Sequence, residues 1–137
     1  MTQLLRHALK GALAKRGATY LIHEVNLGGE LMPKFCVLLE DYHEGAATLM
    51  VGLTTSRLEF LRYPTAVRIA DGTFADISGD SCLQCDNLLE VEARILVSGS
   101  HSKYLGQLPE PIMLEVDAAV ERVEATEHIF VRILGLE

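Results

Sequence analysis

A chain of 137 residues is long enough for one domain that buries a core without disulfide or metal staples. With 49% apolar residues and only four prolines, its composition excludes a disordered polypeptide. Twelve Lys and Arg stand against nineteen Asp and Glu, a net charge of −7. That excess disfavours broad, sequence-independent binding to a phosphate backbone and leaves room only for a local basic site.

The charge is uneven. Residues 1–34 carry five Lys/Arg and two Asp/Glu, whereas residues 108–137 carry two and seven. No apolar run approaches the roughly 20 residues that span a bilayer. The N-terminus lacks the apolar core of a secretory signal, so a cytoplasmic location with no membrane partner is expected.

Residues 2–15 are predicted as a helix. Thr2 can cap it, and Leu4, Leu5, Ala8, Leu9, Ala12 and Leu13 recur on one face, a stripe expected to pack on the domain's own core, with a partner-binding or dimerising arm as the alternative. Arg16-Gly17 ends it. Short strands follow at 19–25, 34–39 and 47–53, with turns at 26–30 and 41–45. A strand at 65–69, the hairpin signal Asp71-Gly72 and a strand at 74–77 come next, then another strand from Ser81 to Asp86. Residues 91–97 (VEARILV) suggest a further strand, and SGSHSKYLG a loop. Leu108–Val123 is the clearest helix: Pro109 and Pro111 open it, and Ile112, Val116, Ala119, Val120 and Val123 repeat at helical spacing. Residues 128–136 read as a last strand, with a helix as the alternative. The fold class is mainly β, a small, strongly bent sheet or barrel with one helix at each end.

Cys36, Cys82 and Cys85 make an odd count in a chain with no export signal, so a disulfide framework is not expected. Cys82-x-x-Cys85 lacks the further ligands of a zinc site, and strand positions three apart face opposite ways. The cysteines are therefore read as structural, with a redox or metal pair as the alternative, and no metal or cofactor is expected. Taken alone, Asp86 reads as an exposed or hairpin-capping acid and Thr54 as a strand-end threonine bonded to nearby backbone. Lys34 reads as a solvated strand start.

Several short pieces stand in a meaningful order. They are Arg16-Gly17-x-x-Tyr20-Leu21, Gly28-Gly29 before a buried strand, and Val51-Gly52-Leu53-Thr54-Thr55-Ser56. Pro64-Thr65, Gly79-Asp80-Ser81, Cys85-Asp86-Asn87 and Leu108-Pro109-Glu110-x-Ile112-Met113-x-Glu115-Val116 continue the series. In their order and spacing they resemble the MazF/PemK/Kid toxins over residues 16–123. Residues 1–15 would then be a helical extension and 124–137 a terminal strand or extension of a single domain. The resemblance implies an SH3-like β-barrel with helices, related in fold to CcdB. It also implies a homodimer whose joint surface binds single-stranded RNA or an antitoxin-type protein.

Carried over position by position, the resemblance places Thr54 and Asp86 on the family's hydroxyl and acidic positions. Lys34-Phe35 stands where Arg-Pro is usual, and Asn87 where Gln is usual. Leu89 stands at a position that is usually Arg, and Gln84 at one that is Arg in some members; Ala18 replaces an acid. Lys34, Thr54 and Asp86 are the expected catalytic residues, and Thr55, Ser56, Arg57 and Asn87 the expected substrate-binding ones. Cleaving RNA through its 2′-hydroxyl needs a base, an acid and positive donors for the developing phosphorane charge. Asp86 suits the base; Lys34 or His23 would have to be the acid; Arg57, Arg62 and Lys103 are the remaining candidates for phosphate contacts. The absent arginines favour a binding protein over an enzyme. The alternatives are a sequence-selective endoribonuclease (an mRNA interferase) of a toxin–antitoxin pair and, third, a CcdB-like protein acting on a protein target.

Overall fold

Consecutive apolar residues in the central strands point to opposite faces, and in the computed structural model this places one hydrophobic cluster on each side of a single curled sheet. The structure describes residues 14–27, 29–97, 100–124 and 130–134. Its strands are β1 (Ala18–Leu27), β2 (Glu30–Leu38), β3 (Thr48–Thr55), β4 (Ala66–Ile69), β5 (Ser81–Glu92), β6 (Ser102–Gln107) and β7 (Phe130–Leu134). They form one sheet in the order β4-β5-β3-β2-β1-β6, antiparallel throughout, with β7 added parallel to β5. A 3-10 helix (Leu58–Arg62) links β3 to β4, and two α-helices, α1 (Ala93–Val97) and α2 (Glu110–Glu124), complete the fold.

The two faces divide residue by residue. Cys36 and Leu38 of β2 join Tyr20, Ile22, Val51, Leu89 and the α1 residues Ile95, Leu96 and Val97 on one side. Val37, between them, joins Val67, Ile69 and Leu83 on the other. There α2 covers the sheet with Val116, Ala119 and Val123, the spacing of one helical stripe. Pro109 accepts hydrogen bonds from the Ile112 and Met113 amides at its start, and Arg122 Nη1 donates to the Pro64 carbonyl at 2.9 Å near its end. Gly17 fixes the junction of β1, β2 and α2. Its N–H bonds to Leu38, its carbonyl takes the Leu108 N–H, and its φ of +93° suits only glycine. A Cβ there would also sit 2.7 Å from Met113 Sδ.

The expected mainly β fold, with its long helix near the C-terminus, is present, as an open sheet curled into a half-barrel. Three local expectations are corrected. Residues 74–77 are not a strand: Phe74 and Ile77 are buried plugs in a turn-rich loop held by Asp71 and Asp80, whose carboxylates bind the amides of Gly79 and Asp71. Residues 93–97 form the short helix α1, with Ala93, Ile95, Leu96 and Val97 buried; a short, mostly apolar run of this kind does not by its pattern distinguish a buried strand from a buried helix. Within the expected loop, 102–107 is an edge strand; polar, partly exposed residues hide such strands from a pattern search. Of the expected N-terminal helix, residues 2–13 lie outside the described residues, and Ala14 and Lys15 are not helical. Among the described residues no helix is long and apolar enough to cross a membrane.

Candidate nucleic-acid interface

Strand β5 builds the site because it shares one of its edges between two neighbours. Residues 81–84 pair with β4 and residues 87–91 with β7, while β3 runs along the opposite edge. The pairing with β3 jumps from Leu53↔Gln84 to Gly52↔Leu88, so Cys85, Asp86 and Asn87 bulge out of that ladder. Bulges of this kind re-aim side chains and are frequent beside functional sites. Gly52 accommodates the bulge from below: a Cβ there would lie 3.0 Å from Leu83 Cδ1 and 3.5 Å from the Gln84 carbonyl. On the other side the Cys85 N–H turns to the Thr65 carbonyl at 3.0 Å.

The bulge opens a crevice of about 350 Å³ lined by Phe60, Tyr63, Thr65, Ala66, Gln84, Asp86 and Asn87. Asn87 Nδ2 donates to Gln84 Oε1 at 3.2 Å, which ties the two amides together. The half-buried Asp86 carboxylate makes no hydrogen bond or ion pair among the described residues. Phe60 and Tyr63 come from the 3-10 helix and its C-cap; their ring centroids are 6.2 Å apart and tilted by 31°. Each aromatic carries an arginine. The Arg57 guanidinium lies 5.4 Å from the Phe60 centroid and pairs with Glu59. Arg62 lies 5.0 Å from the Tyr63 centroid and donates to its hydroxyl at 2.9 Å.

The expected site residues divide into two groups. Asp86 and Asn87 line the crevice, and Arg57 flanks it through Phe60. Thr55 Oγ1 accepts the Arg57 N–H at 3.2 Å, so it shapes the exit from β3 that carries Ser56 and Arg57. Thr54 is only 6% exposed and donates its hydroxyl proton to the Phe35 carbonyl at 2.9 Å, which commits that donor to the β2–β3 contact. Lys34 is on β2, separated from β5 by β3. That is two inter-strand spacings, about 10 Å, before any offset along the strands. His23, on β1, is one strand further. Lys103 is paired with Asp76.

The three thiols are buried and free. Burial pushes Cys36 and Cys85 up to about 12, and the Asp86 charge adds to the rise at Cys85; burial raises Cys82 in the same way. Thiols held protonated are poor nucleophiles and poor metal ligands. Among the described residues no group of three or more His, Cys, Asp or Glu is placed to hold a metal ion. Sequence reasoning missed Phe60, Tyr63, Thr65 and Ala66. The interleaving of Arg57, Phe60, Arg62 and Tyr63 was the available signal, since alternating arginines and aromatics suit stacked bases with nearby phosphates.

No protein-family model matches the sequence, and no curated protein matches it. Solved structures do. A chain of the MazE–MazF complex from Deinococcus radiodurans aligns with a TM-score of 0.63 at 14% identity, covering 84% of this chain and 99% of that one. An endoribonuclease in complex with its cognate antitoxin, from a mycobacterial species, aligns at 0.58 and 17% identity, covering 82% and 94%. The Mycobacterium tuberculosis toxin MazF-mt6 aligns at 0.55 and 15% identity, covering 78% and 98%. The strand order, the covering helix and these alignments agree: this chain has the MazF fold.

Proposed function

We propose that this protein is a MazF-like toxin-family protein that binds single-stranded RNA as a homodimer, with an antitoxin-type protein as the competitor for that surface, and that it turns over RNA little or not at all. The fold likeness to a MazE–MazF complex and to an endoribonuclease–antitoxin complex supports the family and the kind of partner. One observation carries the conclusion about catalysis: among the described residues, the crevice around Asp86 is lined by no Lys, Arg or His. Asp86 can take a proton from a 2′-hydroxyl. No described residue of the lining neutralises the phosphorane charge, and each missing preorganised donor costs about 10²–10³ in rate. Binding is easier to supply. Arg57 and Arg62 are exposed, and surface ion pairs such as Arg57–Glu59 are weak enough, at about 0–1 kcal/mol, to be exchanged for a phosphate.

The test is to incubate the purified protein with a long single-stranded RNA that contains all short sequence contexts, and to map new 5′ ends. Retention of the RNA without new ends is expected, with binding that weakens steeply as salt rises. Reproducible cuts that vanish in Asp86→Ala would overturn this reading and establish the alternative, a sequence-selective endoribonuclease.

A further inference from the structure

We propose that the crevice beside Asp86 is a base-specific subsite that takes one unpaired guanine of single-stranded RNA. The inference rests on the RNA-binding reading and goes beyond it by naming the base. Three features of the crevice converge on it. The first is size: about 350 Å³ is near the lower limit of small-molecule sites, roughly 300–1,000 Å³, and suits one base. The second is stacking. Phe60 and Tyr63 are 6.2 Å apart, less than twice the ~3.5 Å contact distance of stacked atoms, so no base enters between them. A base stacks instead on the outer face of Tyr63, a residue 44% exposed, by displacing the exposed Arg62 guanidinium that lies 5.0 Å from its centroid.

The third feature is the hydrogen-bonding pattern. A half-buried carboxylate with no partner among the described residues requires N–H donors from whatever fills the crevice. Of the four bases, only guanine sets two N–H groups side by side, N1–H and the N2 amino group, to match the two oxygens of Asp86. Such charge-assisted, two-pronged pairs are the strong ones. Gln84 supplies the complement. Its Oε1 is taken by Asn87, so its amide N–H₂ is the group left to donate, and guanine O6 lies next to N1–H on the same edge. Adenine and cytosine place a ring acceptor beside their single amino group, against the carboxylate. Uracil flanks its one N–H with two carbonyls.

The experiment uses the full chain and fluorescence anisotropy with four labelled eight-nucleotide RNAs. These are all-uridine and three oligouridines with a single central guanosine, inosine or adenosine. Guanosine is expected to bind about tenfold tighter than uridine, with inosine, which lacks the N2 amino group, in between. Asp86→Asn, which trades an acceptor oxygen for a donor, brings guanosine and uridine to within about twofold while the salt dependence stays, because no phosphate contact is lost. Phe60→Ala and Tyr63→Ala weaken all four RNAs together. The inosine comparison needs no variant, so it remains decisive if Asp86→Asn is unstable. Equal binding of all four RNAs overturns the guanine subsite and leaves RNA binding standing, as does a preference for adenosine. No binding of any RNA overturns both.

Discussion

Leu89 occupies a position where the family resemblance expects an arginine, and installing that arginine is an obvious attempt to restore chemistry. The structure predicts that it fails for a physical reason. Leu89 is 2% exposed, in register with Val51 of β3 on one side and with β7 on the other, and its side chain belongs to the cluster that α1 covers. Leu89→Arg loses the burial of a leucine, about 1.5–3 kcal/mol. It also places a guanidinium among Val51, Val91 and Ile95, and an unpaired buried ion adds several kcal/mol more. A loss of about 5 kcal/mol or more is comparable to the whole stability of a domain at the lower end of the usual 5–15 kcal/mol. At roughly 3–5 °C per kcal/mol for a chain of this size, Tm falls by about 15 °C or more. Leu89→Ala, which removes only the packing, costs about 2–5 kcal/mol. Gln84→Arg, by contrast, enters the partly exposed crevice beside Asp86 and leaves Tm within a few degrees. Thermal melts followed by circular dichroism order the three variants. A Leu89→Arg protein that melts within about 5 °C of the parent would show that the guanidinium escapes to solvent, and position 89 would then not be core.

Two further outcomes follow from groups buried with unusual partners. The Tyr20 hydroxyl is buried without a hydrogen-bond partner among the described residues, while its ring packs on Tyr104 at 5.5 Å. Tyr20→Phe keeps the ring pair and removes the orphaned group, so Tm is expected to stay level or rise by a few degrees; a fall of more than about 1 kcal/mol in urea unfolding would reveal a bond that this geometry denies. Cys36 and Cys85 are held up at about 12 against an ordinary 9.0. Because the folded values are raised, the stability gained by keeping both thiols neutral is complete below pH 9 and is lost as pH rises from 9 towards 12. Each thiol contributes a slope of about 1.4 kcal/mol per pH unit. Melts between pH 8.5 and 10.5 should decline steeply and less so in Cys36→Ala; a flat profile would refute it.

The long helix was legible because its periodicity is clean, Val116, Ala119 and Val123 marking one face; the central strands were legible as short, nearly continuous apolar runs such as residues 34–39, which suit a strand buried on both faces. The errors fall where burial and periodicity part company. Residues 93–97 bury every side chain but Arg94, and Phe74 and Ile77 are buried from a loop. At the candidate site, Asp86 and Asn87, which line the crevice, had been singled out through Cys85-Asp86-Asn87 and the resemblance it supports. The place of Phe60 and Tyr63 was not, because it depends on the β3–β4 connection folding back along β5. Nor does a sequence carry strand order, which puts Lys34 on the far side of β3 from Asp86.

The divided edge of β5 has a consequence for how such a protein diversifies. Where one strand passes from neighbour to neighbour, the gap between them is as wide as β4 and β7 are held apart. On the β4 side that separation is governed by the β3–β4 connection, not by the residues facing the gap. Changes in that connection would widen or narrow the opening while Gln84, Asp86 and Asn87 stay in place, so selectivity can drift through the frame while its contents remain constant.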